Sequence, residues 1–234
     1  MIGLSNSGTA TENAARYLRR RILSGDLPAG APINQNDVAA TVGVSRSPVR
    51  DAIQLLAAER LIVTRAHSTA VVAPLSLDDL EELYELRIAL EPPLCKTALP
   101  NLTRVTVLEM NELMEAMEST EDMLVWLEAN DRFHAAVYRR ASRPRMVEIV
   151  HRARQQTGRY TRILVAELGT ADSNDQHRRI LDAVTNQDGP ALERAVRDHL
   201  AISRDVILRH LYDKERDAIH SDGRAARPIA GPTD

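Results

Sequence analysis

The chain has 234 residues, of which 44% are hydrophobic and 27% are charged, and it contains one cysteine, Cys95. These values are typical of a water-soluble protein with one large domain or two small ones. No segment approaches the roughly 20 apolar residues of a membrane span, and the polar N-terminus lacks the apolar run of a signal peptide. Because a single cysteine excludes an internal disulfide, we expect a cytoplasmic protein with no membrane partner.

The net charge of −3 is unevenly distributed along the chain. Residues 1–74 hold 8 Lys/Arg and 5 Asp/Glu, a net charge of +3, whereas the remainder holds 22 and 28, a net charge of −6. Binding to DNA phosphates requires a local basic surface and not a basic whole chain. The pattern is therefore compatible with a DNA-binding N-terminal region, while the aromatic content of 3% argues against binding of single-stranded nucleic acid.

Residues 34–56 have the pattern of a helix-turn-helix. Gly43 stands where a tight turn between helices tends to need a positive φ. Ser47 is expected to cap the second helix, with Pro48 in its first turn. The face that packs inward is apolar at helical spacing and comprises Val49, Ala52, Ile53 and Leu56. The opposite face carries donors that could reach bases and phosphates in a major groove: Arg46, Ser47, Arg50 and Gln54.

Two β-branched runs, Leu61–Thr64 and Ala70–Ala73, follow this helix and flank a polar loop that contains His67. A hairpin directly after a recognition helix defines a winged helix, so we interpret His67 as a solvated loop residue or a phosphate contact. From residue 77 to about 214, long amphipathic patterns predict about six helices and almost no strand. Capping residues and prolines predict their starts at Ser76, Asn101 or Thr103, Ser119 or Thr120, Pro144, Asp172 or Ser173, and Asp188.

These patterns predict a mainly α protein with three parts. Residues 1–74 form a winged helix-turn-helix domain with a small β-hairpin, and residues 75–218 form an all-helical domain. Residues 219–234 are rich in Gly, Pro and Ala and are expected to be a disordered tail.

Three motifs in this order resemble the winged helix of GntR-family regulators: Ile22–Gly30, Val44–Ala52 and Glu59–Ile62. Leu83–Arg87 together with Glu91 is similar to the opening of the FCD ligand domain of the FadR-type subfamily. The resemblance covers residues 12 to 212 and implies a homodimeric repressor, not an enzyme, on a pseudo-palindromic double-stranded operator. It also implies that residues 75–218 are the domain for effector binding, metal binding and dimerisation. The sequence departs from the family pattern at three places. Arg60 replaces the usual Gly, Ser68-Thr69 stand at the wing tip where a Gly is common, and Asn36, a further candidate DNA contact, replaces a residue that is frequently charged.

Three histidines, His134, His177 and His199, lie on the apolar stripes of three different predicted helices. One such histidine is usually a hydrogen-bonded core residue, but three that converge in a bundle predict a transition-metal site. Helix geometry allows an oxygen ligand from Asn130 at i−4 or from Asp131 at i−3. The FCD resemblance implies Asn130 together with the three histidines, and a divalent ion such as zinc, nickel or manganese.

Arg87 also lies on an apolar stripe, where a guanidinium needs an anion. Two interpretations stay open: an internal ion pair with Glu91, or a clamp for the carboxylate of an effector. Tyr160 is a second candidate effector contact, and the resemblance implies a small organic acid as the effector. The alternative is a metal-dependent enzyme that acts on such an acid, with the winged helix as a docking module. No clear general base, Ser-His pair or Cys-His pair supports that alternative, so we predict allosteric control of DNA binding.

Overall fold

The computed structural model describes residues 8–64 and 69–223 and is mainly helical, as predicted. The head comprises α1 (Ala10–Ser24), α2 (Gln35–Val42), α3 (Arg46–Ala58), β1 (Ile62–Val63) and β2 (Val71–Val72). The body comprises α4 (Leu77–Ala98), α5 (Arg104–Ser119), α6 (Met123–Tyr138), α7 (Pro144–Leu168), α8 (Ala171–Thr185) and α9 (Gly189–Gly223). A 3-10 turn, Leu99–Asn101, follows α4. Helix α9 includes residues 219–223 of the predicted tail, and residues 224–234 lie outside the described part of the chain.

Local sequence explains the helix-turn-helix. Thr9 and Glu12 form a reciprocal capping box at the start of α1, which satisfies two backbone N–H groups that have no partner within the helix. Gly43 ends α2 with φ +74°, which confirms the predicted turn, because only glycine adopts this conformation at little steric cost. The predicted inner face of α3 is buried at all four positions: Val49, Ala52, Ile53 and Leu56.

Several predicted helix starts were wrong by a few residues. Ser47 lies within α3, because Arg46 is its first residue and Ser45 precedes it without a side-chain cap. Helix α6 starts at Met123, because the Asp122 carboxylate caps it. This carboxylate accepts hydrogen bonds from the backbone N–H groups of Leu124 and Val125, at 2.8 and 3.3 Å. Helix α8 starts at Ala171 and not at Asp172 or Ser173. The predicted starts at Ser76, Thr103, Pro144 and Asp188 agree with the structure.

The hairpin is antiparallel, with Ile62 opposite Val72 and Val63 opposite Val71. The segment between α1 and α2 also pairs with the second strand of the hairpin. The Ile33 N–H donates to the Ala70 carbonyl at 2.8 Å, and Gly30 and Val72 form a further bond at 3.0 Å. This additional pairing ties the α1–α2 connection to the base of the hairpin.

Buried apolar side chains form two clusters. One lies in the head and is built around Leu18, Ile53 and Leu56, and the other lies in the body and is built around Trp126 and Phe133. In the body, α4 packs on α7 and α9, α5 packs on α6 and α8, and α8 packs on α9. This arrangement points one face each of α6, α8 and α9 toward the interior. None of the helices in residues 8–64 and 69–223 has the length and apolar character needed to cross a membrane.

Replacing Arg60 with glycine is expected to stabilise the head. Arg60 has φ +57°, a left-handed conformation that costs a residue with a Cβ about 1–2 kcal/mol. Subtracting glycine's extra backbone entropy of about 0.5–1 kcal/mol leaves an expected gain of about 0.5–1 kcal/mol in the free energy of unfolding. The ion pair of Arg60 with Asp79 is long, at 3.9 Å, and exposed, so its loss should matter little.

Urea denaturation of Arg60→Gly, followed by circular dichroism, measures this gain. Arg60→Ala is the matched control, because it removes the same charge but keeps the Cβ, and it should give no increase. Equal stability of the glycine and alanine variants would show that the backbone at position 60 is not strained.

Candidate functional site

The three predicted histidines meet inside the body. Helix α6 carries His134, α8 carries His177 and α9 carries His199, with relative exposures of 2%, 0% and 7%. One ring nitrogen from each lies within 4.8 Å of the others. The predicted convergence is therefore confirmed. Among the described residues, this group of potential metal ligands contains no carboxylate.

Specific contacts orient the rings. The Nε2 atoms of His134 and His177 are 3.1 Å apart. His199 Nδ1 lies 2.9 Å from Gln176 Oε1, and His134 Nδ1 lies 3.4 Å from the Tyr138 hydroxyl oxygen. The inner edges of the imidazoles thus face one another, while two outer edges face polar side chains.

The cluster is electrically neutral at physiological pH. Burial lowers the pKa of His134 and His177 well below the usual histidine range, and neighbouring imidazoles and guanidiniums reinforce the effect. Burial, together with the guanidiniums of Arg87 and Arg154, lowers the pKa of His199 to about 3. Neutral imidazole is the form that binds metal ions.

The donor set fits a divalent transition metal. Ligand nitrogens that share one ion at about 2.0–2.1 Å must approach each other closely, as His134 and His177 already do. Two bare nitrogens at that distance repel unless a proton or a cation lies between them. In addition, the buried His177 Nδ1 has no hydrogen-bond partner, which is unusual for a buried polar atom. These residues can hold an ion, which would act there as a Lewis acid.

The sequence left open which oxygen stands near His134. Asn130 lies one turn before His134 on α6 and is partly buried. Asp131 has a side chain that is 51% exposed, and its carboxylate lies 3.4 Å from Arg154 Nε. Asp131 is therefore engaged with a guanidinium at the surface of α6.

A buried charge network lies beside the histidines. Glu91 is fully buried and accepts a hydrogen bond from Arg87 Nε at 2.6 Å, so the ion pair considered for Arg87 exists. Tyr138 donates a short hydrogen bond to the other Glu91 oxygen, which also lies 3.8 Å from Arg154 Nη1. Arg87 Nη1 donates to the Thr157 hydroxyl at 2.9 Å. Two buried guanidiniums thus share one buried carboxylate, and the half-exposed carboxylate of Asp131 is a second partner of Arg154.

Tyr160 contacts the connection between head and body. Its buried hydroxyl donates to the Ser76 carbonyl at 3.2 Å and accepts from the Ser76 N–H at 3.1 Å. Arg159, on the same turn of α7, donates to the Ala73 carbonyl at 2.5 Å. Among the described contacts of Tyr160, none joins it to the histidine cluster.

The predicted DNA contacts form an exposed surface on the head. Arg46, Ser47, Arg50 and Gln54 are all exposed on α3, and Asn36 is exposed near the start of α2. Arg46 begins α3, and Arg50 and Gln54 follow at intervals of four residues, so the three share one face. His67 lies outside the described residues.

Several side chains of the histidine cluster's surroundings and of the adjacent charge network were not predicted from the sequence. Each of these side chains contacts a partner on another helix, so no spacing along one helix reveals the contact. The pairs are Gln176 with His199, Thr157 with Arg87, and Arg154 with Glu91. Tyr138 could have been found from its i+4 spacing to His134, but no local pattern shows that it donates to Glu91.

Comparison with known proteins agrees with this architecture. A family profile described as "Bacterial regulatory proteins, gntR family" matches residues 10–72, and a profile described as "FCD domain" matches residues 82–202. The chain is 29% identical over 196 residues to the "Probable D-xylose utilization operon transcriptional repressor" of Paenarthrobacter nicotinovorans, covering 82% of this chain and 86% of that protein. It is 33% identical over 115 residues to the "Gluconate operon transcriptional repressor" of Bacillus subtilis (strain 168), covering 49% and 46% of the two chains.

Solved structures share the fold. E. coli McbR/YncC superposes with a TM-score of 0.79 at 20% identity, covering 87% of this chain and 99% of that one. A GntR-family transcriptional regulator from Pseudomonas syringae pv. tomato str. DC3000 superposes with a TM-score of 0.57 at 27% identity, covering 89% of each chain. The family is one of transcriptional regulators and not of enzymes, which removes the enzymatic alternative. The chain belongs to the GntR family of transcriptional regulators, in the FadR-like subfamily with a C-terminal FCD domain.

Proposed function

We propose that this regulator is a homodimeric repressor that binds a pseudo-palindromic double-stranded operator in the bacterial cytoplasm and responds to a small organic acid. The exposed polar face at the N-terminal end of α3 is the observation that carries this proposal. A helix that follows a tight turn and presents arginines at its start can enter a major groove. The two relatives named above are themselves described as operon repressors.

A dimer follows from the form of the operator. Two half-sites about 34–36 Å apart require two heads held at a matching distance. The body offers apolar surface for such an association, since Val105 and Leu108 on α5 are 70% and 54% exposed. Residues of this type are common in interfaces between subunits.

Arg50→Ala is expected to weaken operator binding by about 1–3 kcal/mol if Arg50 reads a base. The side chain is exposed on the outer face of α3, so the head should stay folded. Fluorescence anisotropy with an operator duplex, obtained by selection from a random pool, measures the change. Arg152→Ala is the matched control, because it removes an exposed arginine that pairs with Glu148 in the body. Unchanged affinity in a folded Arg50→Ala protein would remove Arg50 from the recognition surface.

We propose Asn130, His134, His177 and His199 as ligands of a divalent transition metal, and Arg87 as a contact for an anionic effector. Arg87 and Arg154 act electrostatically on the histidines, since both lower the pKa of His199. Two buried guanidiniums share a single buried carboxylate, and the second carboxylate near Arg154, that of Asp131, is half exposed, so the carboxylate of a small organic acid is a suitable further partner for Arg87. A metal ion would add to this attraction.

Helix α7 offers a physical connection from the body to the head. Thr157 accepts the hydrogen bond from Arg87, and the following turn of α7 contacts the head and the connection to it. A Cβ on Gly158 would lie 3.1 Å from Leu23 of α1, and one on Gly25 would lie 2.8 Å from the Arg162 guanidinium. Tyr160 and Arg159 hold the backbone of residues 73–76. An effector that competes for Arg87 would therefore act on the helix that positions the head. We propose that Tyr160 takes part in the effector response by transmitting this change from α7 to the connection between body and head.

A further inference from the structure

Two of the three clustered histidines have outer ring nitrogens with specific polar partners. His199 Nδ1 meets Gln176 Oε1 at 2.9 Å, although Gln176 lies on α8 and His199 on α9. His134 Nδ1 lies 3.4 Å from the Tyr138 hydroxyl, one turn further along α6. Tyr138 in turn donates its proton to the buried carboxylate of Glu91.

These partners determine which ring nitrogen carries the proton. The Tyr138 proton is committed to Glu91, so the Tyr138 oxygen is left as an acceptor for His134 Nδ1–H. The Gln176 carbonyl oxygen is an acceptor for His199 Nδ1–H in the same way. In a neutral imidazole a proton on Nδ1 leaves Nε2 bare, and the inner edges of the rings are where a ligand atom is needed.

The third histidine is held differently. His177 Nδ1 has no hydrogen-bond partner, and its ring packs edge-on against Phe133 with centroids 5.2 Å apart and lies 6.0 Å from Trp126. The histidines therefore divide into two that are oriented by hydrogen bonds and one that is oriented by aromatic packing.

We infer that Gln176 and the Tyr138–Glu91 pair are positioning residues, which hold His199 and His134 as Nδ1–H tautomers with Nε2 directed at a common metal ion. This inference rests on the metal site proposed above. Outer partners of this kind fix ring orientation and raise ligand basicity, and their loss typically weakens metal binding by about 10–100-fold. Gln176 is the sharper case for a test, because it is partly exposed and belongs to none of the buried charge pairs.

The test compares Gln176→Met with Gln176→Glu in the full-length protein. Methionine keeps the length of the side chain but removes the acceptor, so Zn²⁺ binding, measured by competition with a chelating dye, should weaken by about 10–100-fold. Glutamate restores an acceptor and adds negative charge, so it should bind Zn²⁺ at least as tightly as the wild type. Gln155→Met is the matched control, because Gln155 contacts the exposed His151 at 2.9 Å outside the cluster, and its Zn²⁺ affinity should be unchanged.

A second readout does not depend on metal. Long-range ¹H–¹⁵N correlation spectra of the metal-free protein report the tautomer of each imidazole, and His199 should be Nδ1–H in the wild type and lose this preference in Gln176→Met. A His199 that stays Nδ1–H in Gln176→Met, with wild-type Zn²⁺ affinity, would overturn the inference. Failure of the wild type to bind Zn²⁺, Ni²⁺ or Mn²⁺ would refute the metal site instead, while an Nε2–H tautomer of wild-type His199 would refute the positioning role alone.

Discussion

Replacing His177 with alanine is expected to abolish tight binding of zinc, nickel or manganese and to remove the stabilisation that the metal gives. Two imidazoles would remain of three whose ligand atoms lie within 4.8 Å of one another. A metal that binds only the folded state, present at 100 times its Kd, stabilises that state by about 2.7 kcal/mol. Elemental analysis and thermal unfolding with and without a chelator measure both effects. The chelator arm is needed because His177 is fully buried, so truncation also leaves a cavity.

The same titration tests the oxygen ligand. Asn130→Asp keeps the size of the side chain and adds a negative charge next to the proposed ion, so it should tighten metal binding. The extra charge should weaken the binding of an anionic effector that contacts the metal. Asp131→Asn is the matched control, because the Asp131 carboxylate is half exposed and faces Arg154. Loss of metal from Asp131→Asn, with no change in Asn130→Asp, would make Asp131 the ligand. A wild type that takes up none of the three metals would refute the whole site.

In the presence of a chelator, the free energy of unfolding is expected to fall steeply as the pH falls below about 6.5. The unfolded chain protonates its imidazoles near the ordinary value of 6.5, whereas the folded cluster stays neutral, in the case of His199 down to about 3. The unfolded state therefore binds more protons in this range, so acid favours it, and no stability is lost above pH 6.5. Below pH 6.5, each histidine lowers the free energy of unfolding by about 1.4 kcal/mol per pH unit, and the three together lower it by about 4 kcal/mol per pH unit.

Urea denaturation at about pH 7.5 and about pH 5.5 measures this loss of stability. His177→Gln removes one of the three buried imidazoles and should reduce the slope by about a third. His151→Gln removes an exposed imidazole outside the cluster and should keep the wild-type profile. A His177→Gln profile as steep as that of the wild type would show that the cluster is not the source of acid sensitivity.

Features that depend on one or two turns of chain were predicted well from the sequence. The inner face of α3, the left-handed turn at Gly43 and the capping at Ser76 all agree with the structure. Competing local signals were harder to resolve. Thr120 and Asp122 are both good capping residues, and Asp122 caps α6 while the Thr120 hydroxyl accepts a hydrogen bond from the Asp122 N–H.

The histidine cluster shows where prediction from sequence ends. Periodicity was enough to place His134, His177 and His199 on buried faces, because burial of a helix stripe follows from apolar spacing alone. The i+4 spacing likewise pointed to Arg87 and Glu91 as a pair, which the structure contains. Tyr160 was named from the sequence only as a candidate effector contact, and no local pattern indicated that its partner would be Ser76, 84 residues earlier.

By itself, then, the sequence determined the order of elements, the winged helix-turn-helix, the outward face of α3 and the inward direction of three imidazoles. Only the tertiary structure decided that Tyr138 donates to Glu91, that Gln176 meets His199, and that one turn of α7 holds both Arg87 and the connection to the head. The physical reason is the range of each interaction. Backbone hydrogen bonding and amphipathic spacing act over a few residues, whereas a side-chain hydrogen bond between helices depends on the distance and rotation at which the helices pack.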